Sequence, residues 1–117
     1  MTPRMRERAR FPEHWFHILL ALADQNRHGL GIIEEVARRT DGDVQLWPGM
    51  LYVALKQMVE QGLIEDAKVP RGFAAGGGRP RFYHITPLGR RACAAEAARL
   101  ERLVNAARAK RVLREST

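Results

Sequence analysis

The sequence predicts a mainly helical α+β fold, in which one small β-hairpin accompanies several helices. The first observation is a stretch of helical periodicity within residues 46–64 that begins with a proline and ends with a glycine. The second is a change of pattern after Gly62, where two strand-like runs flank a segment of proline and glycine. The third is a long closing segment rich in Ala, Leu, Arg and Glu. A chain of 117 residues, 45% of them hydrophobic, can bury one core.

The central helix is expected to have one buried side and one exposed side. Pro48 suits the first helical position, and Gly62 suits the residue that closes a helix. The apolar stripe that predicts the buried side consists of Leu51, Leu55, Met58 and Val59. The outer side carries Gly49, Met50, Tyr52, Val53, Lys56 and Gln57. Taken alone, this helix is compatible with an ordinary solvated face and with a nucleic-acid contact.

Two further helices are predicted upstream. The segment HWFHILLALAD follows Pro12 and Glu13 and is apolar nearly all round. A helix of this kind is covered on several faces, and we expect a second subunit to be one of the covers. A turn, DQNRHGLG, leads to a short helix around Ile32 to Arg39. Val44 to Leu46 is interpreted as a short strand.

The second half of the sequence predicts a hairpin and then a long helix. Leu63 to Val69 and Arg81 to Thr86 have strand composition, and the segment PRGFAAGGGRP between them forms a long basic tip. Thr86 and Pro87 supply the N-cap and first position of a helix that runs from Leu88 to about Arg114. Heptad-like spacing within it predicts a seam for a partner helix, formed by Cys93, Ala97, Leu100, Val104 and Ala107.

Taken in order, these elements are those of a winged helix-turn-helix followed by a C-terminal dimerisation helix. We expect a flexible basic N-terminal arm over residues 1–10, the winged helix-turn-helix over 11–86 and the dimerisation helix over 87–117. The dimer interface is expected to combine the seam of the last helix with Trp15, Phe16 and Leu19 of the first. The alternative is that the last helix packs only on its own domain.

The charge distribution predicts an anionic partner. The formal net charge is +7, and residues 67–95 contain several basic residues and no acid. The first ten residues are also rich in arginine. Charge segregated in this way is typical of proteins that meet nucleic acid, a membrane surface or an acidic protein.

Several other classes are excluded or disfavoured. The single cysteine, Cys93, permits neither an intrachain disulfide nor a cysteine cluster for zinc, and we interpret it as a small buried hydrophobe, with a redox switch as the alternative. His14 and His17 lie three residues apart without a third metal ligand near them. No catalytic constellation occurs at usable spacing, so we expect no enzyme and no cofactor. The lack of an apolar signal core predicts a cytoplasmic protein without a membrane partner.

Four segments carry a resemblance to a known family: HILLAL, HGLGIIEEV, PGMLYVALKQMVEQGLIE and RFYHITPLGR. The most specific parts are Gly49 to Tyr52 and the spaced set Tyr83, Thr86 and Gly89. From Trp15 into the first part of the last helix, the chain resembles the PadR family of bacterial transcriptional regulators, in its short form with one C-terminal helix. The resemblance implies a homodimeric DNA-binding repressor whose pseudo-palindromic operator has half-sites about one helical turn apart.

The resemblance also implies DNA contacts from the central helix and the hairpin. Tyr52 and Lys56 match positions that contact the DNA backbone, and Gly49 permits close approach there. Trp47 and Met50 stand where many relatives have small hydroxyl residues, so we expect a different sequence preference. Basic wing residues are expected to follow phosphate or the minor groove. The expected DNA-binding residues are Gln45, Trp47, Gly49, Met50, Tyr52, Val53, Lys56, Arg71, Arg79 and Arg81.

A small-molecule effector is a further implication of the resemblance. It would be aromatic or cationic and would bind near the dimer interface, between the first and last helices. Trp15 and Phe16 are the expected stacking residues, and the competing interpretation is that they seal the first helix against the partner subunit. The residues alone leave two other functions open: a protein-interaction module with an acidic partner, and an RNA-binding module that prefers single strands or A-form duplex.

Overall fold

A computed structural model of the chain describes residues 11–73 and 80–114. The elements are α1 (Glu13–Ala23), β1 (Arg27–His28), α2 (Gly29–Arg39), α3 (Pro48–Glu60), β2 (Ile64–Ala67), β3 (Phe82–Ile85) and α4 (Pro87–Ala109). The strands form one antiparallel sheet in the order β1-β3-β2. This architecture confirms the predicted winged helix-turn-helix with a long C-terminal helix. The predicted flexible arm over residues 1–10, Arg79 and residues 115–117 lie outside the described residues.

The sheet contains a strand, β1, that the sequence did not predict. β2 and β3 form the expected hairpin, in which Ile64 pairs with Ile85. β1 lies in the segment predicted to be a turn, and its Arg27 pairs with Tyr83 on the other edge of β3. A strand of two residues has no periodicity of its own, and its partner lies far along the chain. β1 therefore ties the start of α2 to the hairpin.

The core lies between the first three helices and the sheet. Helices α1 and α2 contribute the fully buried Ile18 and Ile32, together with Leu22 and Val36. Leu51, Leu55 and Met58 of α3 are at most 1% exposed, as the apolar stripe predicted, and Val59 is partly buried. Burial of side chains of this size stabilises the fold by about 1.5–3 kcal/mol each. The core thus fixes which side of α3 faces outward.

Helix α3 begins and ends where the sequence indicated. Pro48 occupies the first turn, and Gly62 has a φ of 76°, a conformation that costs glycine nothing. The amide of Leu63 donates to the Met58 carbonyl at 2.9 Å, and that of Gly62 donates to Val59 at 3.0 Å. This is a Schellman motif, and it turns the chain directly from α3 into β2.

The segment between α2 and α3 is a loop, so the strand predicted at Val44 to Leu46 was wrong. The Thr40 hydroxyl donates to the Val36 carbonyl at 2.8 Å and accepts from the Val44 amide at 3.0 Å. Leu46 is only 3% exposed, so the apolar side chains of this loop pack into the core, and its backbone does not pair with another strand. Helix α2 also begins earlier than expected, at Gly29.

The junction between β3 and α4 is closely packed. The Thr86 hydroxyl accepts from the Gly89 amide at 3.0 Å, and it also lies 2.6 Å from the Gly62 carbonyl, to which it donates. A Cβ at Gly89 would overlap the carbonyl oxygen of Leu63. The Thr86 and Gly89 positions of the family-like motif therefore hold α4 against the end of α3.

Several arginines are occupied in holding helices together. Arg27 Nε donates to the Ala21 carbonyl at 2.7 Å, and Arg90 donates to the Ala23 carbonyl at 2.9 Å. Both carbonyls belong to the last turn of α1, where no intrahelical donor remains. The carboxylate of the half-buried Glu35 lies 3.6 Å from Arg27 Nη2 and also forms ion pairs with Arg38 and Arg39.

Helix α4 packs on α1 through its first half and extends beyond it. Cys93 is 8% exposed, whereas Leu103 is 56% and Val104 is 37% exposed. Residues 101–106 are all exposed in the single chain. In the described ranges, no helix is long and apolar enough to cross a membrane.

Candidate nucleic-acid interface

The outer side of α3 faces solvent along its length. Tyr52 is 55% exposed and Val53 is 59% exposed, and Lys56, one turn further along the helix, is also exposed. Gly49 is also exposed, and a Cβ placed on it would meet nothing within 4 Å. Gln45, Trp47 and Met50 are exposed beside the first turn. The structure thus brings the predicted α3 residues onto one surface, which we call the α3 face.

Tyr52 lies across the start of α2. A Cβ at Gly29 would lie 2.7 Å from Tyr52 Oη and 3.1 Å from two of its ring carbons. The absence of a side chain at Gly29 therefore lets the phenol lie against the helix backbone. A groove of about 720 Å³ opens here, lined by α2, α3 and the base of the hairpin. Lys56 and Arg81 contribute its positive charges.

The basic residues of the hairpin differ in whether their charge is paired with a carboxylate of the protein. Arg71 is exposed in the segment after β2. Arg81 is also exposed, but its Nη2 donates to both carboxylate oxygens of Asp66, at 2.8 and 2.9 Å. This hydrogen bond raises the pKa of Arg81, so the guanidinium stays charged and partly neutralised. Within residues 11–73 and 80–114, Arg81 is paired with Asp66 and Arg71 has no ion pair, a distinction that a count of basic residues does not make.

An aromatic cluster joins the hairpin to the start of α2. The His28 ring stacks on Phe82 at 5.1 Å, and Phe73 meets both rings edge-on at 4.9 Å. Nearby, burial raises the pKa of Tyr83, which keeps this phenol neutral. The sequence did not predict this cluster, because its members come from three separate segments. Its effect is to fix the base of the hairpin relative to α2.

The residues predicted for the dimer interface fall into two groups. Leu19 is fully buried, so it belongs to the core of its own subunit and offers a partner no surface. Trp15 at 5% and Cys93 at 8% exposure are nearly as enclosed. Burial raises the pKa of the Cys93 thiol, which reduces its thiolate fraction. The residues that retain surface are Phe16, Ala97, Leu100, Val104 and Ala107.

A second groove, again of about 720 Å³, lies between α1 and α4. Phe16, one of the two residues expected to stack on an effector, lines it, whereas Trp15 does not, because its indole is buried beside Phe11 with ring centroids 6.2 Å apart. Glu13 supplies an exposed carboxylate, and Arg99 pairs with Glu96 at 2.7 Å. The groove therefore combines an aromatic ring with an acidic group.

Among the residues that the structure describes, no three His, Cys, Asp or Glu side chains form a group that could hold a metal ion. Burial lowers the pKa of His14, which favours its neutral form. His17 lies 3.6 Å from Glu13 and 3.3 Å from Arg39 Nη1. His14 is thus partly buried, and His17 is paired with other side chains of the protein.

The winged-helix class is defined by three helices packed on a small three-stranded sheet. The hairpin of that sheet lies beside the third helix, whose outer side is exposed. The model of the Transcriptional regulator PadR-like family matches residues 18–95, which is more than half of the chain. The chain therefore belongs to this family of transcriptional regulators, as the resemblance indicated. No curated protein matches it.

Solved structures similar to this chain share its fold at low sequence identity. A transcriptional regulator from Clostridium thermocellum is 18% identical with a TM-score of 0.66, covering 91% of this chain and 93% of that one. A PadR family regulator from Clostridium difficile is 22% identical with a TM-score of 0.66, covering 80% and 93%. Bacillus subtilis PadR in complex with operator DNA is 15% identical with a TM-score of 0.63, covering 73% and 46%.

Proposed function

We propose that this protein is a homodimeric, sequence-specific DNA-binding repressor that places α3 in the major groove of each half-site. The observation that carries the proposal is the exposure of the α3 face, since the opposite side of the same helix packs into the core through Leu51, Leu55 and Met58. A helix presented in this way fits the width of the major groove. The similar Bacillus subtilis PadR, solved with operator DNA, has the same fold.

Phosphate contacts would supply most of the affinity. Lys56, Lys68 and Arg71 are exposed around α3 and the base of the hairpin. We propose a phosphate contact for Arg79 as well. Arg81 would contribute only when its guanidinium leaves Asp66 and pairs with a phosphate. Each phosphate neutralised by a cation adds about 0.9 to the slope of log affinity against log salt concentration.

Dimerisation would use the half of α4 that extends beyond α1. Leu103 and Val104 expose apolar surface there, and an amphipathic helix buries such surface against a partner. Sedimentation velocity tests this part of the proposal. Val104→Glu should give a monomer, whereas Asn105→Glu, an exposed neighbour outside the predicted seam, should remain a dimer. A monomeric wild-type chain at micromolar concentration would contradict it.

Relief of repression would act through the groove between α1 and α4. Phe16 can stack on a planar ring, and Glu13 can pair with a cation. The proposed effector class is therefore a planar aromatic cation, and the exposed Glu13 carboxylate makes an anion the unfavourable choice. Titration with ethidium and with a sulfonated dye of similar size tests charge selectivity, and the Phe16→Ala variant should lose the binding of ethidium.

DNA binding is tested by fluorescence anisotropy with a duplex taken from directly upstream of this protein's own gene. A scrambled duplex, an A-form RNA duplex and an acidic polypeptide serve as competitors, each at two salt concentrations. The proposal predicts salt-sensitive binding with at least ~10³-fold preference for the specific duplex. Preference for RNA or for the acidic polypeptide would instead support the RNA-binding or protein-interaction alternative.

A further inference from the structure

The first two turns of the α3 face carry an apolar edge. Trp47 directly precedes the helix and is 68% exposed, Met50 is 36% exposed, and Val53 is 59% exposed. Residues three apart on a helix lie on the same side, so Met50 and Val53 are neighbours. Exposed side chains of this size are individually ordinary, but here they are adjacent on the end of the helix that would enter DNA.

This edge cannot serve the core of its own subunit. The core side of α3 is already formed by Leu51, Leu55 and Met58, which are at most 1% exposed. Val53 has no hydrogen-bonding group in its side chain, and the Met50 thioether is only a weak acceptor, so neither can form a strong hydrogen bond with a base. The feature of a base pair that an apolar side chain contacts in the major groove is the C5 methyl of thymine.

We propose that Trp47, Met50 and Val53 read thymine methyl groups, so that the edge selects half-sites by apolar contact rather than by hydrogen bonds. The proposal rests on the proposed DNA-binding function and specifies how the sequence is recognised. DNA is favoured over an apolar protein partner because the exposed cation Lys56 follows the edge on the next turn of the same helix.

The consequence is a graded preference. Contact with one methyl group is worth about a factor of four in affinity, so discrimination must be summed over several thymines. A bidentate hydrogen-bonded pair would instead discriminate against the wrong base by about 5- to 160-fold at a single position. We therefore expect thymines at two or more defined positions of each half-site, and tolerance of one replacement.

The test compares thymine with uracil, which lacks only the C5 methyl group. Duplexes that the wild-type chain enriches from a random library are resynthesised with uracil at each thymine in turn. Uracil at the contacted positions should lower affinity about fourfold each. Met50→Ala and Val53→Ala should abolish part of this difference, whereas Lys56→Ala should lower the affinity for both duplexes by the same factor. All three positions are exposed, and circular dichroism checks that each variant is folded.

The outcomes separate the inference from the function on which it rests. Specific binding with no effect of uracil at any position would overturn thymine reading and leave the DNA-binding proposal intact. A uracil effect that persists unchanged in both alanine variants would also overturn it. Failure to enrich or bind any duplex would overturn the DNA-binding function and the inference together.

Discussion

At the junction of β3 and α4, side chains point inward and bond to the backbone, whereas along the outer side of α3 they point to solvent. Thr86 and Gly89 at the junction each contact a carbonyl or amide of another segment. Tyr52, Val53 and Lys56 of the α3 face are all exposed. Both regions belong to the motifs by which the sequence resembles its family. A shared motif can therefore preserve a packing contact in one place and a binding surface in another.

The largest effect is expected from Gly89→Ala. The new methyl group would overlap the Leu63 carbonyl oxygen, and backbone cannot rotate away as a side chain can. We expect a loss of at least about 2 kcal/mol in the free energy of unfolding, measured by urea denaturation. Gly49→Ala is the matched control, because its methyl group meets open space and alanine favours a helix by up to about 1 kcal/mol. Equal stability of the two variants would contradict the packing described for the junction.

A smaller loss is expected from Thr86→Ala. This change removes the N-cap acceptor of α4 and the donor to Gly62. Loss of such a cap costs about 1–2 kcal/mol in the free energy of unfolding. Thr86→Ser retains the hydroxyl and should recover most of that stability in the same denaturation experiment. If Ser and Ala are equally destabilised, the hydroxyl is not the stabilising group.

Gly29→Ala links the two regions, because it changes the position of Tyr52, which we propose contacts DNA, without altering the chemistry of that side chain. The methyl group would displace the Tyr52 phenol, which can rotate outward, so stability should change little. We expect DNA affinity to fall by about 0.5–1 kcal/mol, measured by anisotropy. Gly29→Ala in a Tyr52→Ala background should then have no further effect on affinity. An additive loss would show that Gly29 acts independently of Tyr52.

The smallest effect is expected at the hairpin, from Asp66→Asn. Arg81 would lose its paired carboxylate and become available to phosphate. Duplex affinity should rise, and the slope of log affinity against log salt concentration should steepen by up to about one. Glu65→Gln removes the same charge from the neighbouring exposed position. If both variants raise affinity equally, the gain reflects net charge and not the release of Arg81.

The features that the sequence predicted correctly depend on local signals, and those that it did not predict depend on residues distant in the chain. The stripe of Leu51, Leu55 and Met58 and the cap at Gly62 are local signals, and both were confirmed. The pairing of Arg27 with Tyr83 in β1 was missed because it depends on a strand remote in sequence. Leu19 was expected at an interface because α1 is apolar nearly all round, and the core of its own subunit covers that side.

Charge shows a similar limit. Counting basic residues treated Arg81 and Arg90 as parts of one footprint. The structure pairs Arg81 with Asp66 across the hairpin, and it directs Arg90 to the last turn of α1. Which arginine is available to a partner depends on neighbours that folding brings together, and a sequence alone gives no distance between them.

The central claim is that the α3 face binds DNA, and two variants of equal charge test it most directly. Lys56→Glu reverses a charge on that face, and Arg91→Glu reverses one on α4, which follows β3 at the end of the strand away from the hairpin tip. We predict that Lys56→Glu lowers affinity for an enriched duplex at least about tenfold and that Arg91→Glu stays close to wild type at the same salt concentration. Equal losses in both variants would contradict it, because net charge and not the α3 face would then determine binding.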